Sequence, residues 1–311
     1  MNTPEVREVA AASSTWSPPL PEASGFEHLV VATPGLRSHV ATVGEGDAVV
    51  LLHGFPAHWW QWREIAPVIA SAGYRVICPD LRGAGWTTAH DPRIERETHR
   101  HDLLALLDTL GIDRAHLVAH DLGVIGANQF AYAHPERVRS LVQLSVPPVF
   151  MSFSVKLISG FRHMPALLWH RRGRSLAGLF DPGHIAHPLP TETIDAYLAP
   201  MARPEIDGAV RRLFRGIAIP MSVQLARGTF ARQRLRPPTL AAFGRLDHPW
   251  DEPLIRRLSG DLTRYADHFE FAFVDDAAHF ITDDAPDEVT ALALDWIERT
   301  GSAQDAAAGG R

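Results

Sequence analysis

The chain of 311 residues contains one cysteine, Cys78. Without a second thiol it can form neither an intrachain disulfide nor a multi-thiolate metal cluster. Cys78 sits in the apolar run Val76-Ile77-Cys78 ahead of Pro79, which reads as a buried strand, and a reducing compartment suits it, the cytoplasm by default. No stretch approaches the length of apolar chain that spans a bilayer. Met1 to Gly25 carries acidic residues and prolines but lacks the apolar segment of a signal peptide. A basic excess is missing too: the formal net charge of −6 excludes a general affinity for nucleic acid or anionic membrane. Arg171, Arg172 and Arg174 form a local basic cluster that reads as solvated surface. Neither a metal-ligand motif nor a phosphate-binding glycine loop is visible, so no cofactor and no metal are expected.

What is present is ordinary folded-protein composition, 46% hydrophobic and 21% charged. Short apolar runs at Leu29 to Ala32, Ser38 to Val43 and Ala48 to Leu52 are separated by glycine turns and predict strands. Helical spacing follows at Trp59 to Ala72, a strand at Tyr74 to Cys78, and a helix at Thr98 to Leu110 ended by Gly111. Arg114 to Ala119 and Ser140 to Leu144 read as strands flanking a helix, Gly123 to Ala133. This alternation predicts an α/β fold, a mostly parallel sheet flanked by helices. It stops at Pro147 and returns at Thr239 to Phe243, near Pro253 to Leu262, at Phe269 to Val274 and from Pro286 to Arg299. The expected organisation is a flexible arm over 1–25, a core over 26–146 and 237–300, a helical cap over 147–236, and a flexible tail over 301–311.

In a parallel sheet, chemistry gathers beyond the carboxyl ends of the strands, and three such ends carry suggestive residues. At Val118-Ala119-His120-Asp121-Leu122-Gly123 a strand runs into a helix, with small residues two before and two after Asp121. That spacing suits a sharp nucleophile turn, occupied here by a carboxylate; Asp121 would equally suit a helix N-cap. At Leu52-His53-Gly54-Phe55-Pro56, the backbone N–H of Phe55, with that of Leu122, would supply the two donors of an oxyanion hole. His53 reads as a buried hydrogen-bonding histidine. The third end is a pair, Asp247 after one strand and His279 after the next, giving the chain order nucleophile, acid, base.

These segments, with Trp59-Trp60-Gln61-Trp62-Arg63 and Pro79-Asp80-Leu81-Arg82-Gly83-Ala84-Gly85-Trp86, resemble the epoxide hydrolases of the α/β-hydrolase superfamily from about Phe26 to Ile297. The resemblance implies an α/β-hydrolase fold with an inserted helical cap. It also implies a two-step reaction: Asp121 opens the ring to form an ester, and water activated by His279 and Asp247 hydrolyses it. The family also uses two cap tyrosines to assist the leaving oxygen. Here Phe214-Arg215 stands where Tyr-Arg is usual, and the earlier tyrosine position falls near Trp169-His170. Either His170 or Tyr197 takes over that role, or the substrate needs less help. A dehalogenase shares the aspartate nucleophile but commonly cradles halide with an indole directly after it, where this chain has Leu122; Trp59, Trp60 or Trp169 would have to substitute. A binding protein that has lost turnover is the remaining alternative. The expected pocket lies between sheet and cap, lined by Phe55, Trp60, Leu122, Trp169, His170, Tyr197, Phe214 and Phe280, with His53 nearby. It would take a small hydrophobic molecule, in a chain that is free to form a homodimer.

Overall fold

The computed structural model describes residues 6–8, 17–248 and 250–309. Ten strands form one sheet: β1 (Val6–Glu8), β2 (Glu27–Thr33), β3 (Leu36–Val43), β4 (Asp47–Leu52), β5 (Tyr74–Pro79), β6 (Thr88–Ala89), β7 (Ala115–His120), β8 (Val138–Leu144), β9 (Thr239–Gly244) and β10 (Phe269–Val274). Their order is β1-β2-β3-β5-β4-β7-β8-β9-β10, with β6 beside β3. Pairing is parallel along β5-β4-β7-β8-β9-β10 and antiparallel among β1, β2, β3, β5 and β6.

The central strands are apolar at nearly every position because both faces are covered. Side chains alternate across the sheet: Val50 and Leu52 join one core with Leu107 and Phe130, whereas Val49 and Leu51 join the other with Ile69 and Trp296. Helices Thr98–Thr109 and Leu122–Ala133 supply the first core, and Ile65–Ser71 and Pro286–Gly309 the second. The helix expected over Trp59 to Ala72 is divided into a tight 3-10 turn, Trp59–Trp62, and the helix Ile65–Ser71. The division lets the indoles of both Trp59 and Trp62 enter the second core.

Both chain ends differ from expectation. Within the arm 1–25, Val6–Glu8 pairs with β2 as an edge strand, three residues being too few to show periodicity in the sequence. Residues 17–25 are also tied down, since the indole N–H groups of Trp86 and Trp60 donate to the carbonyls of Pro18 and Glu22. The remainder of the arm, 1–5 and 9–16, lies outside the described residues, as do 310–311. The tail 301–311 is not separate, because the last helix continues from Pro286 to Gly309. Ala306-Ala307-Ala308 favours that continuation, and Gly301 inside it opposes it by only about 1 kcal/mol.

Between β8 and β9 the described chain is helical, including Thr191–Leu198 and an almost continuous run from Val210 to Ala226. The π-helical turn Phe214–Ala218 interrupts that run. This insert packs its own small core over the sheet, with Leu213, Phe214 and Ile217 against Phe55 and Leu122. Among the described residues no helix is long and apolar enough to cross a membrane.

One carboxylate anchors the loops beneath the insert. Asp80 is buried at the end of β5, where it accepts hydrogen bonds from His39 Nδ1 at 2.7 Å and from the backbone N–H groups of Trp59 and Trp86 at 2.8 Å. Burial alone would push its carboxyl up, but the His39 imidazole reverses this and holds it well below the usual range. Gly85, at φ +51°, is required beside it, because a Cβ there would lie 2.1 Å from the Asp80 carboxylate. Asp80→Ala strips three donors of their acceptor at once. It should lower the unfolding free energy by about 3 kcal/mol, measured by urea denaturation; a change under about 1 kcal/mol would contradict this role.

Candidate active site

Strand β7 ends at His120 and the helix Leu122–Ala133 begins two residues later, so the chain turns at Asp121 alone. Asp121 has φ 43° and ψ −117°, a strained backbone for a residue with a Cβ. The sharp turn brings Gly123 onto the end of β4, where a Cβ would lie 2.5 Å from the Leu52 carbonyl oxygen. The N-cap alternative fails: the Asp121 side chain makes no capping hydrogen bond. Its Oδ2 instead accepts from the backbone N–H of Phe55 at 3.0 Å. Leu122 opens the helix, where a backbone N–H has no intrahelical partner.

Across the cleft, His279 Nε2 stands 3.7 Å from Asp121 Oδ1, and its Nδ1 is 3.1 Å from Asp247 Oδ2. Asp247 follows β9 and His279 follows β10, and those strands are parallel neighbours. His120, beneath Asp121, donates from Nε2 to the His279 carbonyl at 2.8 Å and so fixes the loop that carries the imidazole. Its part was hidden in the sequence because it ends a buried strand that carries a second histidine, His116, with no such role.

The charges are strongly coupled. Burial works against a charged imidazole at His279, yet Asp247 and then Asp121 outweigh it and push its pKa up to about 10. Burial would raise Asp121 as well, but the His279 contact holds it well below the usual carboxylate range. Asp247, almost wholly buried, is raised by desolvation.

A cavity of about 210 Å³ opens above Asp121, bounded by Phe55, Leu122, Phe214, Phe280, Asp247 and His279. Four residues expected in its wall, and His53 expected nearby, are elsewhere. His53 is buried below the site, pairing with the Gly54 carbonyl and accepting from the Leu81 N–H. Trp60 packs on Tyr197, its N–H held by Glu22. Tyr197 is fully buried and donates to Asp283 at 2.8 Å, with Arg63 on the same hydroxyl. His170 is buried with Nε2 2.5 Å from Asp207, and Trp169 is 67% exposed. Asp207 and Asp283 claim His170 and Tyr197, so neither can serve a ligand beside Asp121.

The sequence reading missed His163 and His184, which the insert brings to the cavity wall. The His184 ring stands edge-on to that of His279, 5.5 Å between centroids. Its Nδ1 is occupied, 2.8 Å from Arg162 Nη2 and 3.1 Å from Asp181 Oδ1. The turn signal Asp181-Pro182-Gly183 before His184 was the available clue. Trp250 and Ser145 complete the sheet side. Ser145, at φ 60° after β8, has no hydrogen-bond partner for its buried Oγ among the described residues.

Comparison with known proteins places the chain in a family. Residues 47–168 match the family described as alpha/beta hydrolase fold. "Epoxide hydrolase 2" of Siraitia grosvenorii is 46% identical over 140 residues, 44% of either chain, so the chain spans less than half the length of that relative. "Epoxide hydrolase 1" of the same plant is 31% identical over 315 residues, covering 88% of this chain and 99% of the relative. The chain belongs to the epoxide hydrolase family. The crystal structure of epoxide hydrolase VrEH1 from Vigna radiata, 25% identical, superposes with a TM-score of 0.70 over 88% of this chain and 98% of that one. Membership in this family accords with the α/β-hydrolase fold and with the helical insert.

The elbow gives a test in which two effects have opposite signs. Alanine normally improves on glycine within a helix by about 1 kcal/mol. At Gly123 the added Cβ instead meets backbone oxygens of Leu52 and His53 at 2.5 and 2.7 Å. Gly123→Ala should therefore destabilise by about 2 kcal/mol, read as a lowered denaturation midpoint; stabilisation would contradict the tight turn.

Proposed function

We propose that this chain hydrolyses apolar epoxides to diols through an ester formed on Asp121. The observation that carries the reading is a partly buried, uncapped carboxylate that opens onto the cavity, with one oxygen on the Phe55 N–H and the other facing His279. Such a group is ionised at neutral pH and attacks a strained ring carbon without prior deprotonation. Asp121 forms a C–O bond, the ring C–O bond breaks, and the leaving oxygen takes a proton.

His184 is the hydrogen-bond donor on the insert side: burial lowers its pKa to about 4, so the ring is neutral and its N–H steadies the leaving oxygen, which takes its proton from water. Its Nδ1 is engaged by Arg162 and Asp181, so Nε2 is the nitrogen free to serve the cavity. Phe214, in the family's usual tyrosine position, forms an apolar wall against Phe55, 5.0 Å between ring centroids.

Esterification removes the negative charge of Asp121, one of the groups that keep His279 protonated. With only Asp247 left as partner, the imidazole loses its proton more readily and becomes the base for water attack on the ester carbonyl. The N–H groups of Phe55 and Leu122 stabilise the oxyanion that forms there. Collapse releases the diol and restores Asp121.

The dehalogenase alternative loses the indoles named for it: Trp59 and Trp60 lie outside the cavity wall and Trp169 faces solvent. Trp250 does line the cavity, so haloalkanes belong in the same assay as a control. The binding-protein alternative predicts no product from either class.

His279→Gln should form the ester and fail to hydrolyse it. Intact-protein mass spectrometry after incubation with an apolar terminal epoxide should show one added epoxide mass, mapped to Asp121, with diol formation reduced by roughly 10³-fold. Adding His184→Ala to that variant should slow adduct formation by about 100-fold. An adduct on another residue, or turnover surviving in Asp121→Ala, would sink the reading; undiminished adduct formation would remove His184 from it.

A further inference from the structure

On the insert side of the cavity, three residues from two separate segments point ligand atoms at one another. His163 precedes the helix Met164–Leu168, while Asp181 and His184 belong to the turn after Ala177–Leu179. His184 Nδ1 lies 3.1 Å from Asp181 Oδ1 and His163 Nε2 lies 3.4 Å from Asp181 Oδ2, and one atom from each residue falls within 4.8 Å of the other two. A tetrahedral zinc ion with bonds near 2.0–2.2 Å keeps its ligand atoms about 3.3 Å apart. Each histidine nitrogen stands at about that distance from an Asp181 oxygen, the three groups lie within 4.8 Å of one another, and imidazole with carboxylate is a donor set that suits a borderline divalent metal.

A cation already occupies the centre of the cluster. The Arg162 guanidinium donates from Nη2 to Asp181 Oδ1 at 2.5 Å and to His184 Nδ1 at 2.8 Å, and from Nε to His163 Nε2 at 3.0 Å. One guanidinium thus meets all three groups, through Nη2 for Asp181 and His184 and through Nε for His163, so they face one cationic position. Arg162 is itself close to half exposed and has room to swing outward. The three ligand residues are partly buried, held by the turn and by the Phe280 N–H on the His184 carbonyl.

We propose that His163, Asp181 and His184 form a site for a divalent transition-metal ion of the zinc class, in which the metal exchanges with the Arg162 guanidinium. The metal would staple the two insert segments at the cavity wall, with its fourth position left for water. Nothing in the site depends on the epoxide reading. Sequence spacing hid it, because positions 163, 181 and 184 fit no metal motif.

Titration of the full chain with zinc chloride by calorimetry tests the site directly. The wild-type chain should bind one ion with a dissociation constant on the order of 10 μM and gain thermal stability when loaded. His163→Ala and Asp181→Asn should each weaken binding by at least about tenfold. Arg162→Ala should tighten it, because the competing cation is gone. The melting temperature of each metal-free variant reports that it is folded. Absence of binding up to about 1 mM zinc, undiminished affinity in His163→Ala, or an unchanged or weakened affinity in Arg162→Ala would each overturn the proposal.

Discussion

The bend at Asp121 is the constraint on which the rest of the structure depends. A single residue at φ 43° converts the end of β7 into the start of a helix, and no room remains for a gentler turn. Gly123 is held against the end of β4, and Gly54 is held against His120 and Asp121. Because the bend is so tight, the carboxylate cannot fold back to cap its own helix and projects into the cavity. The same closeness brings the Phe55 N–H onto that carboxylate, so a backbone donor is in place before any ligand arrives.

Charge is handled by pairing rather than by exposure. Asp121, His279 and Asp247 are all largely withdrawn from water, and burial penalises the charged form of each. Alternating signs along the row offset that penalty. The arrangement is responsive: removal of the charge on Asp121 alters the proton affinity of His279 at once. Another carboxylate, the buried Asp80, uses a different means, because three donors converge on it and it lies outside the wall of the cavity above Asp121. One of the two is therefore structural and the other exposed to chemistry, although both terminate central strands.

The parts of the molecule legible in the sequence are those governed by short-range rules. Strand and helix alternation follows burial on two faces, and the glycines around Asp121 follow backbone geometry, so the sheet could be read almost strand by strand. The insert could not. Tyr197 and His170 looked available for chemistry because their residue types are, yet Asp283 and Asp207, far away in the chain, claim them. Trp169 looked like a pocket wall and faces solvent. His184 went unnoticed for the converse reason: its value comes from Arg162 and Asp181 beside it, and short helices broken by proline carry no periodicity that predicts such neighbours.

The central claim is that an oxygen atom of Asp121 ends up in the product. A single turnover in ¹⁸O-labelled water, with protein in excess over epoxide, measures this directly. Unlabelled diol in that first turnover, with label recovered in the Asp121 carboxylate by peptide mass spectrometry, is the predicted result. Label in the diol and none in Asp121 would contradict the account, because water would then have attacked the ring itself.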